Sequence, residues 1–205
     1  MVYNNPGSCG VAVSPETLGK CAQLPNMGFL KESSGDIMRL TRSVDEVGDR
    51  LVVFCGCESL AYESFVMGAR AWVCVLANIA PAMCVRLYDL IVNKGKLDEA
   101  RQVYRQMLPL LRLLEDTGEL WQVVKHALVL KGFGSGRLRM PRQPISEGVR
   151  LELAQVLKQV DLADPHTGRR ASRLPYKSSC KEGQDKKALS PCQQPRMSSI
   201  SSYPS

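Results

Sequence analysis

Short apolar runs recur along this chain at intervals of about 20 to 28 residues, with amphipathic stretches between them, and this alternation limits the possible folds more than any other feature. A hairpin needs only a few residues between strands. Parallel neighbours need a crossover of a dozen or more, so the spacing predicts successive βα units and a parallel sheet. The runs are Val2-Tyr3, read as the last part of a strand, Met27 to Leu30, Leu51 to Phe54, and Ala71 to Leu76. Between them, Ser14 caps a helix that opens with Pro15 and runs to about Leu24, where Pro25 stops it. Ile37, Leu40, Val44 and Val47 repeat at helical spacing after Asp36, a good N-cap, and Gly48 ends that helix. Leu60, Ser64 and Met67 share a face of the next, which closes at Gly68; Pro81 opens a fourth that reaches about Lys94.

From Leu97 onward the strand period gives way to continuous helix. Leu97, Ala100, Val103, Met107, Leu110 and Leu114 form one stripe, with Pro109 expected to kink it. Further helices are expected at about 120–131 and 149–160, as a helical addition to the α/β unit. The glycine-rich 132–136 stretch lacks the preceding strand and the Gly-Lys-Ser/Thr ending of a phosphate loop, so it reads as a linker.

Charge excludes a class that it first suggests. The chain carries +7 overall, but residues 165–205 alone hold +6, leaving the first 164 residues near neutrality. Basicity therefore belongs to a tail rich in Ser, Pro and Gln, read as disordered and solvated, and does not point to a nucleic-acid-binding domain. A functional tail that touches nucleic acid or an acidic surface is a weaker third idea, and Arg169-Arg-Ala-Ser172 could serve as a kinase site. No apolar run approaches the roughly 18 residues of a membrane span, and Met1 to Pro6 lacks the features of a secretory signal; a cytoplasmic protein is expected. The eight cysteines follow no disulfide framework or metal-ligand spacing and read mostly as reduced core thiols, Cys55-Gly-Cys57 included. No metal is expected. His126, on a helix without a second ligand in view, reads as structural.

One lysine stands apart. Lys31 follows a short apolar run and precedes Ser33-Ser34-Gly35, which places it at a strand's C-terminal end. An ammonium facing a sheet or barrel interior is costly unless paired or deprotonated. A lysine amine of ordinary pKa, about 10.4, is less than about 0.1% neutral at pH 7; bringing such a group to about 7 to 8 raises the nucleophilic fraction a few hundred-fold and suits Schiff-base chemistry. The plain alternative is a lysine that snorkels from a strand end to water.

Tyr3-Asn-Asn-Pro-Gly with Gly10, Lys31-Glu-Ser-Ser-Gly-Asp36, Gly56 after an apolar strand, and Ala77-Asn78-Ile-Ala-Pro81 together resemble the dihydrodipicolinate synthase and N-acetylneuraminate lyase family, in order and spacing, over about residues 1–160. The resemblance implies the C-terminal half of a (β/α)8 TIM barrel over 1–95, strands five to eight, followed by a helical extension over 96–160 and the tail over 161–205. It implies that Lys31 is the Schiff-base nucleophile toward pyruvate or a related 2-oxo acid, that Tyr3 relays protons, and that Gly56, Ser8 and Asn78 contact substrate. No cofactor beyond the covalent Schiff base is implied. Ser8 stands where lysine-pathway members carry an arginine, which speaks against lysine biosynthesis, and the Asn-Asn-Pro-Gly form looks more like the sugar-acid dehydratase or hydroxy-oxoglutarate aldolase branches. The family's Gly-Thr-Thr-Gly-Glu type carboxylate-binding stretch is not found in the 205 residues. Two functions follow: a lyase of the pyruvate-type aldolase and dehydratase class in truncated form, or a catalytically inactive fragment that associates with other subunits. The implied partners are a 2-oxo acid, and a homo-oligomer or complementing half barrel.

Overall fold

The computed structural model describes residues 1–163, with side chains to residue 160; the expected tail disorder falls outside these residues. Four strands, β1 (Val2–Asn4), β2 (Phe29–Glu32), β3 (Val52–Cys55) and β4 (Ala71–Trp72), form one all-parallel sheet in the order β1-β2-β3-β4. Helices α1 (Pro6–Cys9) and α2 (Pro15–Cys21) join the first two strands, α3 (Ile37–Val47) the next two, and α4 (Ala61–Val66) the last two. After β4 come α5 (Pro81–Tyr88), continued by one π-helical turn (Asp89–Asn93), then α6 (Leu97–Asp116), α7 (Leu120–Leu130) and α8 (Glu147–Ala163).

Strand order decides the architecture. A doubly wound sheet reverses direction at a switch point, whereas a strictly sequential parallel order with one helix-covered face is the winding of a barrel. The alternation of side chains agrees. Leu30, Val53 and Cys55 point to the helices and are buried, whereas Tyr3 and Phe29, on the other face, are 50% and 46% exposed. The face that lines the interior of a closed barrel is thus open here, and β1 and β4 each lack an outer strand neighbour among the described residues. On that face Phe29 and Phe54 meet edge to face at 5.8 Å.

Local signals explain the helices. Asp36 Oδ1 accepts from the amides of Met38 and Arg39 at 2.9 and 3.2 Å and starts α3. Ser14 Oγ accepts from the Thr17 amide at 3.2 Å and starts α2, with Pro15 in its first turn. Gly48, at φ 52°, ends α3 in a backbone region that a β-carbon disfavours. The apolar stripe of α6 is buried from Ala100 to Leu114 and packs between α5, α7 and α8; Pro109 lies inside this helix.

Several boundaries differ from the sequence reading. The first long helix ends at Cys21, not Leu24, because Gln23 and Leu24 turn onto the carbonyls of Lys20 and Cys21 ahead of Pro25. The lysine strand begins at Phe29, since the Met27 amide is taken by the Leu24 carbonyl in a turn, and Lys31 is therefore a strand residue with Glu32 after it. The run at Ala71–Leu76 yields only a two-residue strand, because a buried carboxylate, Glu58, captures the amides of Val75 and Leu76. Met67 is 42% exposed and stands outside the α4 face on which Ser64 is buried. The fourth helix leaves α geometry at Asp89.

Candidate active site

Parallel register brings Tyr3, Lys31 and Phe54 into one row across the sheet. Lys31 Nζ lies 4.2 Å from the centroid of the Tyr3 ring, a cation–π distance. The Asn5 side-chain amide donates to the Tyr3 hydroxyl at 2.8 Å. Partial burial pushes the Tyr3 phenol upward, but the hydrogen bonds from Asn5 and Lys31, with the lysine's charge, outweigh it and hold the phenol below its ordinary pKa. A phenol so placed can take up and return a proton beside an amine.

One residue further along the strands, on the helix face, the row is Asn4, Glu32, Cys55. Glu32 is buried and fully engaged: its carboxylate accepts from the Asn4 side-chain amide and from the Ser34 backbone amide, both at 2.7 Å. Asn4 Oδ1 in turn accepts from the Val13 amide at 2.9 Å. These bonds fix the ends of β1 and β2 against each other, and with them the neighbouring pair Tyr3 and Lys31.

Gly56 closes over this pair. Its amide donates to the Glu32 carbonyl at 2.8 Å, and a β-carbon there would meet Ser33, Lys31 and the Glu32 carbonyl oxygen within 3 Å. The remaining residues singled out in the sequence stand apart from this contact set. Ser8 is exposed on α1, with its amide bonded to Asn5 Oδ1 at 3.3 Å. Asn78 is exposed in a 3-10 turn (Leu76–Asn78), its side chain donating to the Val75 carbonyl at 2.9 Å. A cleft of about 480 Å³ flanks the exits of β2 and β3, lined by Ser33, Ser34, Gly35, Cys57, Glu115 and Trp121 among others.

Two carboxylates that the sequence reading passed over organise the rim. Glu115, from α6, accepts from the backbone amides of Glu58 at 2.5 Å and Ser59 at 3.0 Å, and from the Ser59 hydroxyl. Tyr104, also from α6, donates to the Ser59 carbonyl. Glu58, 3% exposed, spans to the β4 exit through Val75 and Leu76. Burial pushes the Glu58 carboxyl up to about 7 despite the two amides that favour its charge. The helical extension thus holds the loop that carries Gly56. A signal for Glu115 existed in its place beside the buried Leu114, at the edge of an apolar stripe; Glu58 carried none that distinguishes it from a surface glutamate. The Cys55 and Cys57 thiols are free and pushed up by burial, to about 12 and about 11, which makes them inert packing groups. Among the described residues no three potential metal ligands cluster, and no helix is long and apolar enough to cross a membrane.

A sequentially wound parallel half barrel with a lysine and a tyrosine paired on its inner face, near the strands' C-terminal ends, defines the class: a (β/α)8-type fold with an amine site at its mouth. The comparisons carry this to a family. The model of the dihydrodipicolinate synthetase family matches residues 1–160, and the chain belongs to that family. It is 34% identical over 162 residues to the 4-hydroxy-tetrahydrodipicolinate synthase of Syntrophobacter fumaroxidans, covering 78% of this chain and 55% of that one. The corresponding enzyme of Archaeoglobus fulgidus is 29% identical over 163 residues, covering 79% and 55%. Among solved structures, dihydrodipicolinate synthase from Thermotoga maritima superposes with a TM-score of 0.73 at 34% identity, over 78% of this chain and 55% of that one. A monomeric dihydrodipicolinate synthase variant matches with a TM-score of 0.73 at 32% identity, over 77% and 53%. The chain therefore spans about half the length of the relatives that it matches.

Proposed function

We propose that this chain carries the amine half of a Schiff-base lyase site acting on a 2-oxo acid such as pyruvate, with Lys31 as nucleophile and Tyr3 as proton relay. The observation that carries this is the Lys31–Tyr3 pair, 4.2 Å apart on the inner face of a family-type half barrel. In the proposed reaction the neutral Lys31 Nζ attacks the keto carbon and a carbon–nitrogen bond forms. The carbonyl oxygen takes up protons and leaves as water, with Tyr3 passing protons at that oxygen and later at the adjacent carbon. The protonated imine then serves as the electron sink for making or breaking the next bond. Gly56 leaves the carbonyl carbon room beside Lys31, and Ser8 and Asn78 would contact substrate farther out on the rim. The reading divides the described chain at about residue 95 into a barrel portion and a helical extension, and keeps the expected cytoplasmic setting.

The open inner face favours a second reading, in which the chain is an inactive fragment or an association domain. Tyr3 and Phe29 are half exposed on that face, and two sheet edges are unpaired among the described residues. A further parallel half, whether from the same or another chain, would cover both and supply a carboxylate-binding loop. The two readings separate by reductive trapping: borohydride with pyruvate is applied to the chain alone and to the chain mixed with the N-terminal half of a relative. Adduct on Lys31 in either preparation supports the lyase reading, and adduct in neither supports the inactive one.

A further inference from the structure

The proposed lyase chemistry uses none of the cysteines, yet two of them are set together in the wall of the same barrel mouth. Cys74 leaves β4 and Cys84 lies in the first turns of α5, ten residues on, with their sulfurs 3.8 Å apart and hydrogen-bonded to each other. Both thiols are free; Cys74 is half-buried and Cys84 buried. The pair brackets the segment whose Val75 and Leu76 amides hold Glu58.

We propose that Cys74 and Cys84 form a reversible dithiol–disulfide site, oxidised by a low-molecular-weight disulfide such as glutathione disulfide. A disulfide needs its sulfurs at about 2.05 Å, so closing the pair requires a sulfur movement of about 1.8 Å. Cys74 lies between Val73, whose amide donates to the Cys55 carbonyl at 3.0 Å, and Val75, whose amide donates to Glu58, so the pair closes by rotation of its two side chains. Roles follow from the surroundings. Cys74 donates to the Cys84 sulfur, and burial pushes the Cys84 thiol up. Cys74, the more accessible thiol, loses its proton and attacks one sulfur of glutathione disulfide, forming a mixed disulfide and releasing one glutathione thiolate. Cys84 then gives up its proton and attacks the Cys74 sulfur, expelling the second glutathione. Two electrons pass from the cysteine pair to glutathione disulfide, and the two thiol protons end on two glutathiones. The bond formed ties the β4 exit to α5 across the segment that carries Asn78.

The site is tested on the full reduced chain, incubated with glutathione disulfide under native conditions, alkylated with iodoacetamide, digested and mapped by mass spectrometry. A parallel sample is oxidised in urea. The expected result is a tryptic 71–86 peptide holding a Cys74–Cys84 disulfide, 2 Da lighter than its reduced, unalkylated form, that dominates in the native sample, disappears with dithiothreitol and is diluted among other pairings in urea. The Cys84→Ser chain should stop at glutathionylated Cys74. Full alkylation of both cysteines in the native sample, or a native pairing of Cys74 with another cysteine, overturns the proposal. So does a Cys84→Ser chain, native by circular dichroism, in which Cys74 is glutathionylated no faster than Cys21. None of these readouts depends on Schiff-base formation.

Discussion

Gly56 sits so close to Lys31 that a β-carbon on it would fall 2.8 Å from Lys31 Cε, 1.8 Å from Ser33 Oγ and 2.9 Å from the Glu32 carbonyl oxygen. The two side chains could turn away; the carbonyl belongs to a paired strand and cannot. Gly56→Ala should therefore destabilise the fold by about 1–3 kcal/mol, the usual range for overpacking, and displace Lys31. Chemical denaturation checks the first effect, and a wild-type midpoint would contradict it.

Tyr3→Phe keeps the ring under Lys31 but removes the hydroxyl that accepts from Asn5. Binding surfaces change little, whereas proton transfer loses its relay. Adduct formation with a 2-oxo acid should slow by roughly 10²-fold or more, the scale of general acid–base assistance, with stability nearly unchanged. Rates of borohydride-trapped adduct compared between the two chains give the answer; equal rates would remove Tyr3 from the mechanism.

Glu58 makes stability depend on pH with a definite sign. Its carboxyl is raised from 4.5 to about 7 in the folded chain, so between those values the native state binds the proton that the unfolded state has lost. Stability is then greatest at the acid end of this window and falls as pH rises through it, by about 3 kcal/mol if the whole shift is expressed. Urea unfolding at pH 5, 6 and 7 should show this slope in the wild type and a flatter one in Glu58→Gln. Parallel slopes would mean that Glu58 is not the titrating group.

Glu115→Ala strips the acceptor from two backbone amides and a hydroxyl at the Glu58–Ser59 turn. A loss of about 2–4 kcal/mol is expected, since each donor left without a partner in a partly buried site costs on the order of 1 kcal/mol or more. Hydrogen exchange should quicken at the amides of residues 58 and 59 before it does in β2. Unchanged protection at those amides would show that α6 does not hold the loop.

The succession of βα units and the parallel sheet were legible in the sequence because βα spacing is set by short-range patterns: capping residues at Ser14 and Asp36, a terminating glycine at 48, and apolar runs of strand length; the barrel winding was legible only as what the family resemblance implies. Lys31 stood out in the sequence by its place at the end of an apolar strand run, whereas Tyr3 was singled out only through the family motifs, since it carries no periodic signal. The length of β4 and the roles of Glu58 and Glu115 were not. Those depend on hydrogen bonds between residues 17 to 57 positions apart, and no local pattern encodes such pairings. The open inner face was legible only as a consequence of the half barrel that the resemblance implies, because each strand alternates as it would in a closed barrel.

Whether Lys31 captures a 2-oxo acid is the question on which the functional account rests. Pyruvate is added to the purified chain, with and without the N-terminal half of a relative, followed by borohydride and peptide mapping. The account predicts a reduced pyruvyl adduct on the Lys31 peptide, abolished by Lys31→Arg and strengthened by the added half. An unmodified Lys31 in both samples, beside a full-length relative labelled under the same conditions, would contradict it.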